Sequence, residues 1–471
     1  MRLSDLSGID SEAVVTGFAI DHRNVTGGNV FGAFRGARSD GEDFIAEAVA
    51  LGAVAVVARP EAVIEGAAHI AHAEPRRRFA ELAGAYYGPY PEVIAAVTGT
   101  NGKTSTVELA RQMWRMAGHR SASIGTLGVT TADDQVKTGL TTPDIVTFLS
   151  NMAGLERMGI SHVAYEASSH GLDQFRSEGL PVGAAAFTNF SRDHLDYHPD
   201  MDAYFAAKMR LFDEVVTNGG AAVVWTGDAK SAEVIEHVRG RGLTLITVGP
   251  GAETIRLVEQ VPTALGQRLV LRYQGKDYKL TLPLIGAYQA NNVLTAAGLL
   301  LATGTDWDDT LSAMGRVSPV RGRLERAVIS RSGAPVYVDY AHTPDALEAA
   351  IAALKPHVKG RLITIFGAGG DRDTGKRAPM GAVAARMSDV AIVTDDNPRT
   401  EDPAKIRREV MEGAVGATEI GDRRAAIAAA IQLAGPGDIV LVAGKGHETG
   451  QVIGDRTLPF DDALVARECA A

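Results

Sequence analysis

Cysteine is almost missing from this chain of 471 residues, since Cys469 is the only one. A single thiol can form neither an internal disulfide nor a cysteine-based metal site, and this composition fits a reducing cytoplasm. Long apolar runs are missing too, because no stretch has the roughly 18 uncharged apolar residues that a membrane span requires. The opening segment MRLSDLSGID lacks the apolar core of a signal peptide. We therefore expect a cytoplasmic protein that is not inserted in a membrane.

Positive charge is also in deficit. The chain has 47 Lys and Arg against 57 Asp and Glu, which gives a net charge of −10, and no segment concentrates the basic residues on one face. This balance argues against a protein that binds nucleic acid through its overall field. A phosphorylated ligand would have to be bound by local donors, so we expect small-molecule substrates and no nucleic acid.

The length and the order of the patterns predict three consecutive α/β domains. A chain of this size exceeds the roughly 250–300 residues that one core supports. Apolar runs such as VIAAVT (93–98) and TLITVG (244–249) alternate with helical patterns, as in a parallel sheet with crossover helices, and segment 267–284 alternates about a glycine like a hairpin. Breaks rich in Pro and Gly occur near 86–93 and 315–325. The predicted domains are 1–88, 89–319 and 320–471, the last of them Rossmann-like.

The segment TGTNGKTS (98–105) lies between a predicted buried strand and a predicted helix. Backbone N–H groups at a helix N-terminus suit a phosphate, Lys103 can neutralise the β- and γ-phosphates, and the Thr104 hydroxyl can reach Mg²⁺. The usual P-loop has glycine where this chain has Val97, and the alternative is a tight turn with a chance lysine. The residues predict a P-loop-type central domain with a mostly parallel sheet. They leave open a kinase, an ATPase, a switch or a ligase.

Two polar stretches of the central domain follow predicted strands, at the edge where open α/β sheets bind ligands. YEASSHGLDQFR (165–176) contains Glu166, a hard oxygen ligand suited to Mg²⁺, and several donors for an anionic substrate. TNFSRDHLDYHPDMDAYFAAKMRLF (188–212) ends in a helix with Lys208. Just before that helix it contains Asp193, His194, Asp196 and His198. The alternatives are a polar loop for the first stretch, a zinc site without the H-E-x-x-H spacing for the second, and a solvated helix lysine for Lys208.

Together these motifs resemble the Mur ligases, the ATP-dependent amino-acid ligases of peptidoglycan precursor synthesis. The shortened phosphate loop is that family's form. The resemblance continues in YQANNVLTAAGLL (288–300), RGRLE (321–325), VDYAHTPDALEAAI (338–351), GGDRDTGKR (369–377), DDNPRTEDP (395–403) and GKGHE (444–448). The order and spacing of the motifs are most similar to those of the members that add the third residue of the peptide.

The resemblance implies a specific reaction. The D-glutamate carboxylate of UDP-MurNAc-L-Ala-D-Glu attacks the γ-phosphate of ATP, and the amine of meso-2,6-diaminopimelate then attacks the acyl phosphate to give the UDP-MurNAc-tripeptide, ADP and phosphate. The implied cofactor is Mg²⁺, ATP is the co-substrate, and the implied form is a monomer. The alternatives are an L-lysine-adding ligase of the same family, a folylpolyglutamate synthetase and a switch that no longer catalyses.

The resemblance also implies roles for individual residues. Those implied for catalysis and magnesium are Lys103, Thr104, Glu166, His194 and Lys208. Lys208 would be carbamylated, because an ammonium beside Mg²⁺ is repelled whereas a carbamate is an anionic oxygen ligand. Those implied for ATP are Gly99, Thr100, Asn101, Gly102, Lys103, Thr104, Ser105, Asn291, Asn292, Arg323, Asp339 and His342.

Two further sets complete the implied site. For the UDP-MurNAc-dipeptide the residues are His22, Arg23, Thr141, Thr142, Ser168, Gln174 and Arg176, with segment 36–41 also beside the UDP. Many relatives have serine where this chain has His22. For diaminopimelate the residues are Arg372, Asp396, Asn397, Pro398, Arg399, Gly444 and Glu448.

The D-N-P-R motif resembles the form found in the family's meso-diaminopimelate-adding members, so the resemblance implies that Arg399 helps to select this amino acid. A guanidinium can bind the distal carboxylate of meso-diaminopimelate through two hydrogen bonds, and lysine has no such carboxylate. Glu448 would pair with the distal ammonium and Arg372 with a carboxylate. The alternative is that Arg399 only caps the helix that follows.

Overall fold

The computed structural model describes residues 1–36, 39–136, 139–195, 197–263 and 265–471. It divides into two compact units. The first is formed by Met1–Arg256 with Asn292–Ala313, and the second by Leu257–Asn291 with Met314–Ala471. Helices α9 (Ala287–Ala302) and α10 (Trp307–Met314) contain points where the chain changes unit. None of the described helices has the length and apolar character needed to cross a membrane.

The first unit begins with a small parallel sheet in the order β1-β2-β3-β4. Its elements are α1 (Leu3–Ser7), β1 (Gly17–Ala19), β2 (Asn29–Gly32), α2 (Ile45–Ala50), β3 (Ala55–Ala58), β4 (Ala68–Ala71) and α3 (Pro75–Tyr87). Every residue of β3 is buried, as expected for a parallel strand covered on both faces. Helix α3 starts with Pro75 at its first position and packs Phe79 edge-on against Phe18, 5.2 Å between ring centroids.

The central sheet of the first unit runs in the order β12-β11-β10-β5-β9-β6-β7-β8. Its elements are β5 (Val93–Thr98), α4 (Lys103–Met116), β6 (Ser121–Gly125), β7 (Gly128–Thr130), β8 (Gln135–Val136), α5 (Ile145–Arg157), β9 (His162–Glu166), α6 (Ser169–Asp173), β10 (Val182–Phe187), α7 (Met201–Arg210), β11 (Val216–Trp225), α8 (Ser231–Gly240) and β12 (Thr244–Gly249). From β12 to β6 all neighbours are parallel. The carboxyl ends of β10, β5, β9 and β6 therefore lie along one edge.

The second unit contains a hairpin and a Rossmann-like sheet. Strand β13 (Ile255–Thr263) enters it from the first unit. The hairpin pairs β14 (Gly266–Tyr273) with β15 (Lys276–Leu282) antiparallel about Gly275, as predicted. The other elements are β16 (Glu325–Ile329), β17 (Pro335–Asp339), α11 (Pro344–Leu354), β18 (Leu362–Phe366), α12 (Arg377–Met387), β19 (Val390–Val393), α13 (Pro403–Met411), β20 (Thr418–Glu419), α14 (Arg423–Leu433), β21 (Ile439–Ala443), β22 (Gly450–Ile453), β23 (Arg456–Pro459) and α15 (Asp462–Ala470). The sheet order is β16-β17-β21-β18-β19-β20, and all neighbours except β16 are parallel.

These sheets confirm the predicted α/β class with three consecutive domains, a mostly parallel central sheet and a Rossmann-like C-terminal sheet. Strands of parallel sheets are buried on both faces, so they form continuous apolar runs that can be seen in the sequence. The domain boundaries 1–88, 89–319 and 320–471 stay predictions.

His162, the first residue of β9, lies in the core of the first unit and is 6% exposed. Its ring stacks on His119 with 4.0 Å between centroids and meets Trp114 edge-on at 5.3 Å. Burial, followed by repulsion from His119, lowers the pKa of His162 to about 4. The folded protein therefore keeps this imidazole neutral at a pH where the unfolded chain protonates it.

We expect the His162 imidazole to make the protein sensitive to mild acid. The contribution of the neutral imidazole to the free energy of unfolding is complete above the unfolded pKa of about 6.5. It is lost as the pH falls towards 4, and the total loss is about 3 kcal/mol. In His162→Gln the free energy of unfolding should change less between pH 7 and pH 5, as measured by urea unfolding at each pH. His72→Gln, at a half-buried position directly after β4, is the control and should keep the wild-type slope. Equal slopes in all three proteins would contradict the prediction.

Candidate functional site

The phosphate loop has the geometry that its two glycines permit. Gly99 and Gly102 have φ values of +138° and +86°, which other residues adopt only with strain. A Cβ at Gly99 would overlap the hydroxyl of Thr188, and a Cβ at Gly102 would overlap the side-chain amide of Asn292. The predicted residue Asn292 thus lies against the loop, which ends at the N-terminus of α4.

The segment after β10 supports this loop. The Asn101 N–H donates to Asn189 Oδ1 at 2.9 Å, and the Thr188 hydroxyl donates to the Asn101 carbonyl at 2.6 Å. The Thr100 N–H donates to the Asn189 carbonyl at 2.9 Å. Because β10 and β5 are neighbouring parallel strands, their carboxyl ends bring the two segments together.

Two lysine side chains meet at the loop. Lys103 Nζ donates to the carbonyls of Gly99 and Thr100 at 2.8 Å each, and Lys208 Nζ donates to the same Gly99 carbonyl at 2.9 Å. Lys208 is 1% exposed, so the alternative of a solvated helix lysine is wrong. The pKa of Lys208 lies well below its usual range. Burial is the main cause, and the positive charge of Lys103 is the second.

Glu166 ends β9, the strand on the other side of β5, and is 2% exposed. One carboxylate oxygen accepts a hydrogen bond from the Thr126 N–H at 2.7 Å, and the other accepts one from the Thr126 hydroxyl at 3.4 Å. The same hydroxyl lies 3.1 Å from the hydroxyl of the predicted residue Thr141. Within the described part of the chain, no Lys, Arg or His side chain lies at ion-pair distance from Glu166. A buried carboxylate without a cation is costly, and a divalent cation would supply the missing charge. The site therefore fits Mg²⁺.

His194 follows β10 in a left-handed conformation, with φ of +55°. Its ring lies 4.8 Å from that of His170 and 5.9 Å from that of Tyr204, and Lys208 Nζ lies 4.3 Å from the Tyr204 ring. His194 and Lys208 thus share one aromatic neighbour. Thr104 lies in the first turn of α4 and is buried.

The zinc alternative receives no support from the described residues, which contain no group of three or more His, Cys, Asp and Glu side chains that could hold a metal ion. Asp196, one of the four residues on which that alternative depended, lies outside the described residues. By the same criterion Glu166 and His194 do not form a metal cluster with other such side chains. A magnesium site here needs the further oxygen ligands that Thr104 and a carbamylated Lys208 would provide.

The residues implied for the muramyl peptide come together around α6. Ser168 caps this helix by accepting the Gly171 N–H at 3.0 Å, and its hydroxyl lies 3.0 Å from that of Thr142. Arg176 donates to the Thr142 carbonyl at 3.2 Å and to Gln174 Oε1 at 2.5 Å. The predicted residues Thr142, Ser168, Gln174 and Arg176 therefore form one hydrogen-bonded group.

A cavity of about 660 Å³ in the first unit is lined by two of these residues and by residues of the N-terminal sheet and its loops. Its walls include Gln174 and Arg176 together with His22 and Arg23. The His22 ring stacks on Phe44 with 4.4 Å between centroids and 4° between planes, which provides a flat surface. Segment 36–41 contributes Gly36, Ser39 and Gly41, while Ala37 and Arg38 lie outside the described residues.

A further cation at this cavity was missed in the sequence. Arg76 of α3 lines the cavity, and its guanidinium lies 4.9 Å above the Phe34 ring. Burial, followed by repulsion from Arg176, lowers the pKa of Arg76. Two guanidinium groups that repel each other at a half-buried site suit a ligand that carries negative charge. Arg23, by contrast, is exposed and paired with Asp21 at 2.6 Å.

In the second unit, three of the residues implied for ATP come together at the carboxyl end of β17. The Asp339 carboxylate accepts the N–H groups of Leu324 at 2.7 Å and Ala341 at 2.9 Å, and burial raises its pKa. Arg323 lies 4.7 Å above the Tyr340 ring, and His342 Nδ1 lies 2.9 Å from the Tyr340 carbonyl. Asn291 also belongs to this unit, whereas Asn292 and the phosphate loop belong to the first.

Arg399 has a fixed backbone and side chain. Its φ is +52°, its N–H donates to the Val452 carbonyl at 3.0 Å, and its own carbonyl accepts the Gly454 N–H at 2.6 Å. Its guanidinium donates to the Gly370 carbonyl at 2.7 Å. The next helix, α13, is capped by Asp402 instead. The alternative that Arg399 serves only as a helix cap is therefore wrong.

Asp396 lies against Gly444 at the carboxyl ends of β19 and β21. Gly444 has φ of +116°, and a Cβ there would overlap the Asp396 carboxylate. Asp396 is 7% exposed, and its Oδ2 has no hydrogen-bond partner within the described ranges. An unpartnered buried carboxylate oxygen suits an ammonium ligand. Pro398 is buried beside these residues, whereas Arg372 is exposed.

A buried ion pair holds the two loops of this region. Arg423 and Asp462 have no exposed side-chain surface and pair at 2.6 Å. Arg423 also donates to the carbonyl of Asp395 at 3.3 Å and to that of Ala443 at 2.9 Å. These carbonyls directly precede the D-N-P-R and G-K-G-H-E motifs. One guanidinium therefore fixes the position of the backbone at the beginning of both motifs.

Family comparisons agree with this geometry. Models of the Mur ligase family match the chain in three segments: its catalytic domain at residues 14–99, its middle domain at 97–300 and its glutamate ligase domain at 322–446. A protein of Zymomonas mobilis, named UDP-N-acetylmuramoyl-L-alanyl-D-glutamate–2,6-diaminopimelate ligase, is 59% identical over 98% of this chain and 96% of its own length. This chain belongs to the Mur ligase family.

Two further similarities extend over 98% and 100% of this Mur ligase. A protein of Bradyrhizobium diazoefficiens with the same name is 49% identical over 98% of this chain and 97% of its own length. A solved structure of a ligase of that name matches with a TM-score of 0.75 and 32% identity, covering 100% of this chain and 98% of the other. The resemblance noted in the sequence is thereby confirmed.

Several residues of this Mur ligase that shape the site were not singled out in the sequence. They are Arg76, Thr126, Thr188, Asn189, Arg423, Lys445 and Asp462. Thr188, Asn189 and Lys445 lie inside motifs that carry the resemblance, which was the available signal. For the others the sequence has no local signal, because their partners are distant along the chain.

Proposed function

We propose that this Mur ligase uses ATP to add meso-2,6-diaminopimelate to the D-glutamate carboxylate of UDP-MurNAc-L-Ala-D-Glu, which yields the UDP-MurNAc-tripeptide of peptidoglycan synthesis. The two relatives described above are named as ligases of UDP-N-acetylmuramoyl-L-alanyl-D-glutamate and 2,6-diaminopimelate. This chain matches 96% and 97% of their lengths. The observation that carries the chemistry is the buried Glu166 carboxylate, without a cation at ion-pair distance among the described side chains, on the strand beside the phosphate loop. The lone cysteine supports a cytoplasmic enzyme, and we propose that it acts as a monomer.

In the first unit, the loop at 98–105 and Asn292 are the residues proposed for ATP. In the second unit, the residues proposed for ATP are Asn291, Arg323, Asp339 and His342. The cavity of the first unit would hold the UDP-MurNAc-dipeptide, with its negative charges towards Arg76 and Arg176 and its base near the His22–Phe44 pair. The loops after β19 and β21 would hold diaminopimelate. These assignments place the three substrates at the carboxyl ends of parallel strands.

Magnesium would be held by Glu166, Thr104, His194 and the carbamate of Lys208, and when bound it offsets the repulsion between a carboxylate and a triphosphate. Lys103 contributes positive charge to the same step. The lowered pKa of Lys208 supports the carbamate, because only the neutral amine reacts with CO₂. In that reaction the nitrogen bonds to the carbon of CO₂ and one proton is released to solvent.

The second half-reaction needs an amine held in place. Asp396 Oδ2 has no hydrogen-bond partner within the described ranges and would accept a hydrogen bond from a substrate ammonium. Arg399, fixed by its backbone contacts, would bind the distal carboxylate. Lysine would leave this guanidinium without its anion, which disfavours lysine as a substrate.

Replacing Arg399 by lysine is expected to raise the KM for meso-diaminopimelate about 10- to 100-fold, because a single ammonium cannot reproduce a two-hydrogen-bond contact with a carboxylate. The KM for ATP should stay the same. Steady-state phosphate release at varied concentrations of each substrate measures both. Arg408→Lys, an exposed arginine on α13, is the matched control and should behave like the wild type. An unchanged KM for diaminopimelate in the Arg399 variant would remove this residue from the binding site.

The direct test of the function is phosphate release with ATP, Mg²⁺ and UDP-MurNAc-L-Ala-D-Glu in three arms: no amine, meso-diaminopimelate and L-lysine. We expect turnover only with meso-diaminopimelate, and a product of the mass of the tripeptide. Turnover with L-lysine instead would establish the alternative ligase of the same family. No turnover with any amine would reject the proposal, and a folate would then be tried as the acceptor.

A further inference from the structure

Lys445 is a buried cation directly behind the proposed diamino acid site. Its side chain has no exposed surface, and an ammonium in such a place is costly unless it is paired. Its Nζ donates to Asn397 Oδ1 at 2.9 Å and to Glu448 Oε2 at 2.9 Å. Both partners are residues that the proposed function assigns to diaminopimelate.

The contacts of Asn397 determine the orientation of its amide. Its Oδ1 faces two donors, Lys445 Nζ and the Val452 N–H, each at 2.9 Å. Its Nδ2 donates to Glu448 Oε2 at 2.8 Å. A flipped amide would place an NH₂ group against two donors, so the oxygen must face Lys445. Asn397 is 4% exposed, and its second amide N–H donates no hydrogen bond to the residues that the structure describes.

The two carboxylate oxygens of Glu448 also differ in their contacts. Its Oε2 accepts from both Lys445 and Asn397, whereas Oε1 accepts no hydrogen bond from the residues that the structure describes. The side chain is 30% exposed, so a ligand can reach it. One oxygen is thus held by the protein, and the other is available to a ligand donor.

We propose that Lys445 is a positioning residue of the diamino acid site. It determines which side-chain atoms of the site donate hydrogen bonds to the substrate and which atoms accept them. Together with the Val452 N–H it holds Asn397 Oδ1, so that an amide N–H of Asn397 is directed towards a substrate carboxylate. It also holds Glu448 Oε2, which leaves Oε1 for a substrate ammonium. A ligand with both groups on one carbon matches this arrangement, and lysine, which has only an ammonium at its far end, matches half of it. The inference rests on the proposed function, because it takes the substrate to be an amino acid with a second such centre.

The test compares Lys445→Met with the wild type at varied meso-diaminopimelate, with ATP and UDP-MurNAc-L-Ala-D-Glu saturating. Loss of hydrogen bonds to a charged group should raise the KM for meso-diaminopimelate about 10- to 100-fold. The KM for ATP should not change, and the preference for meso-diaminopimelate over L-lysine should fall. Lys445→Arg keeps the cation and should retain most of the preference. Lys355→Met, an exposed lysine in the same unit, is the control.

A second comparison separates positioning from a merely structural role. Glu448→Gln replaces the carboxylate that Lys445 contacts by a neutral amide, so adding Lys445→Met should raise the KM much less than it does in the wild-type background. Full additivity would overturn the proposal, as would an unchanged KM for diaminopimelate in Lys445→Met. If Lys445→Met does not fold, Lys445→Gln takes its place with the same expected results. No tripeptide from the wild type would overturn the proposed function itself.

Discussion

Glu166→Gln is expected to lower kcat by about 10³-fold or more without lowering the melting temperature. The carboxylate is the charged oxygen ligand proposed for Mg²⁺, and metal-ion stabilisation of a phosphoryl transfer contributes several kcal/mol. The folded protein, however, gains little from this charge, because Glu166 is buried and Thr126 is the only donor to its carboxylate among the residues that the structure describes. A neutral side chain of the same shape should fit equally well or better. Phosphate release at varied Mg²⁺ and thermal unfolding measure the two effects.

Glu108 is the matched control for Glu166. It is also a buried carboxylate, with 6% exposure, but it pairs with Arg111 at 2.5 Å and accepts a hydrogen bond from Ser123 at 2.9 Å. Glu108→Gln leaves Arg111 without its anion, so stability should fall by about 3 kcal/mol while the dependence on Mg²⁺ stays the same. Glu166→Gln should therefore lower activity and keep stability, whereas Glu108→Gln should lower stability and keep the dependence of activity on Mg²⁺. Wild-type activity of Glu166→Gln at saturating Mg²⁺ would remove Glu166 from the metal site.

Lys208→Met is expected to lower kcat by about 10³-fold, because it removes an anionic ligand that only a carbamylated lysine can supply. The surroundings of Lys208 favour the proposed modification. Lys208 is buried beside Lys103, and both effects favour the neutral amine. Methionine has similar length and packs in apolar surroundings, so the variant should fold. Kinetics of purified protein and intact mass under mild conditions measure the effect.

Removal of CO₂ tests the carbamate directly. Wild-type enzyme in buffer depleted of CO₂ should lose activity and regain it when bicarbonate is added, whereas Lys208→Met should respond to neither treatment. Lys230→Met, a partly exposed lysine in the same unit, should retain the wild-type response. Full activity of the wild type without CO₂ would show that Lys208 acts as an ammonium or amine.

Functional residues that are close together in the chain could be predicted from the sequence. The phosphate loop places Gly99, Gly102 and Lys103 within five positions, and its glycines have φ values that glycine adopts without strain. Glu166 could be predicted in the same way, since it ends an apolar run and parallel strands carry their sites at that end.

Residues that act through distant partners could not be predicted in this way. Lys445 bonds Asn397 across 48 positions, and Arg423 pairs with Asp462 across 39. The three-dimensional surroundings also decided between alternatives that the sequence left open. Lys208 is a core lysine and Arg399 is not a helix cap, because their surroundings come from other strands and loops.

The sequence by itself determined the α/β class, the family and the set of residues at the strand ends. Apolar periodicity and short motifs depend on neighbours along the chain, and both can be recognised there. Only the tertiary structure decided which of those side chains lack a counter-charge, which amine is buried and how Asn397 is turned. These properties depend on solvent exclusion and on partners brought together by the sheet, and neither is encoded in any local stretch of residues.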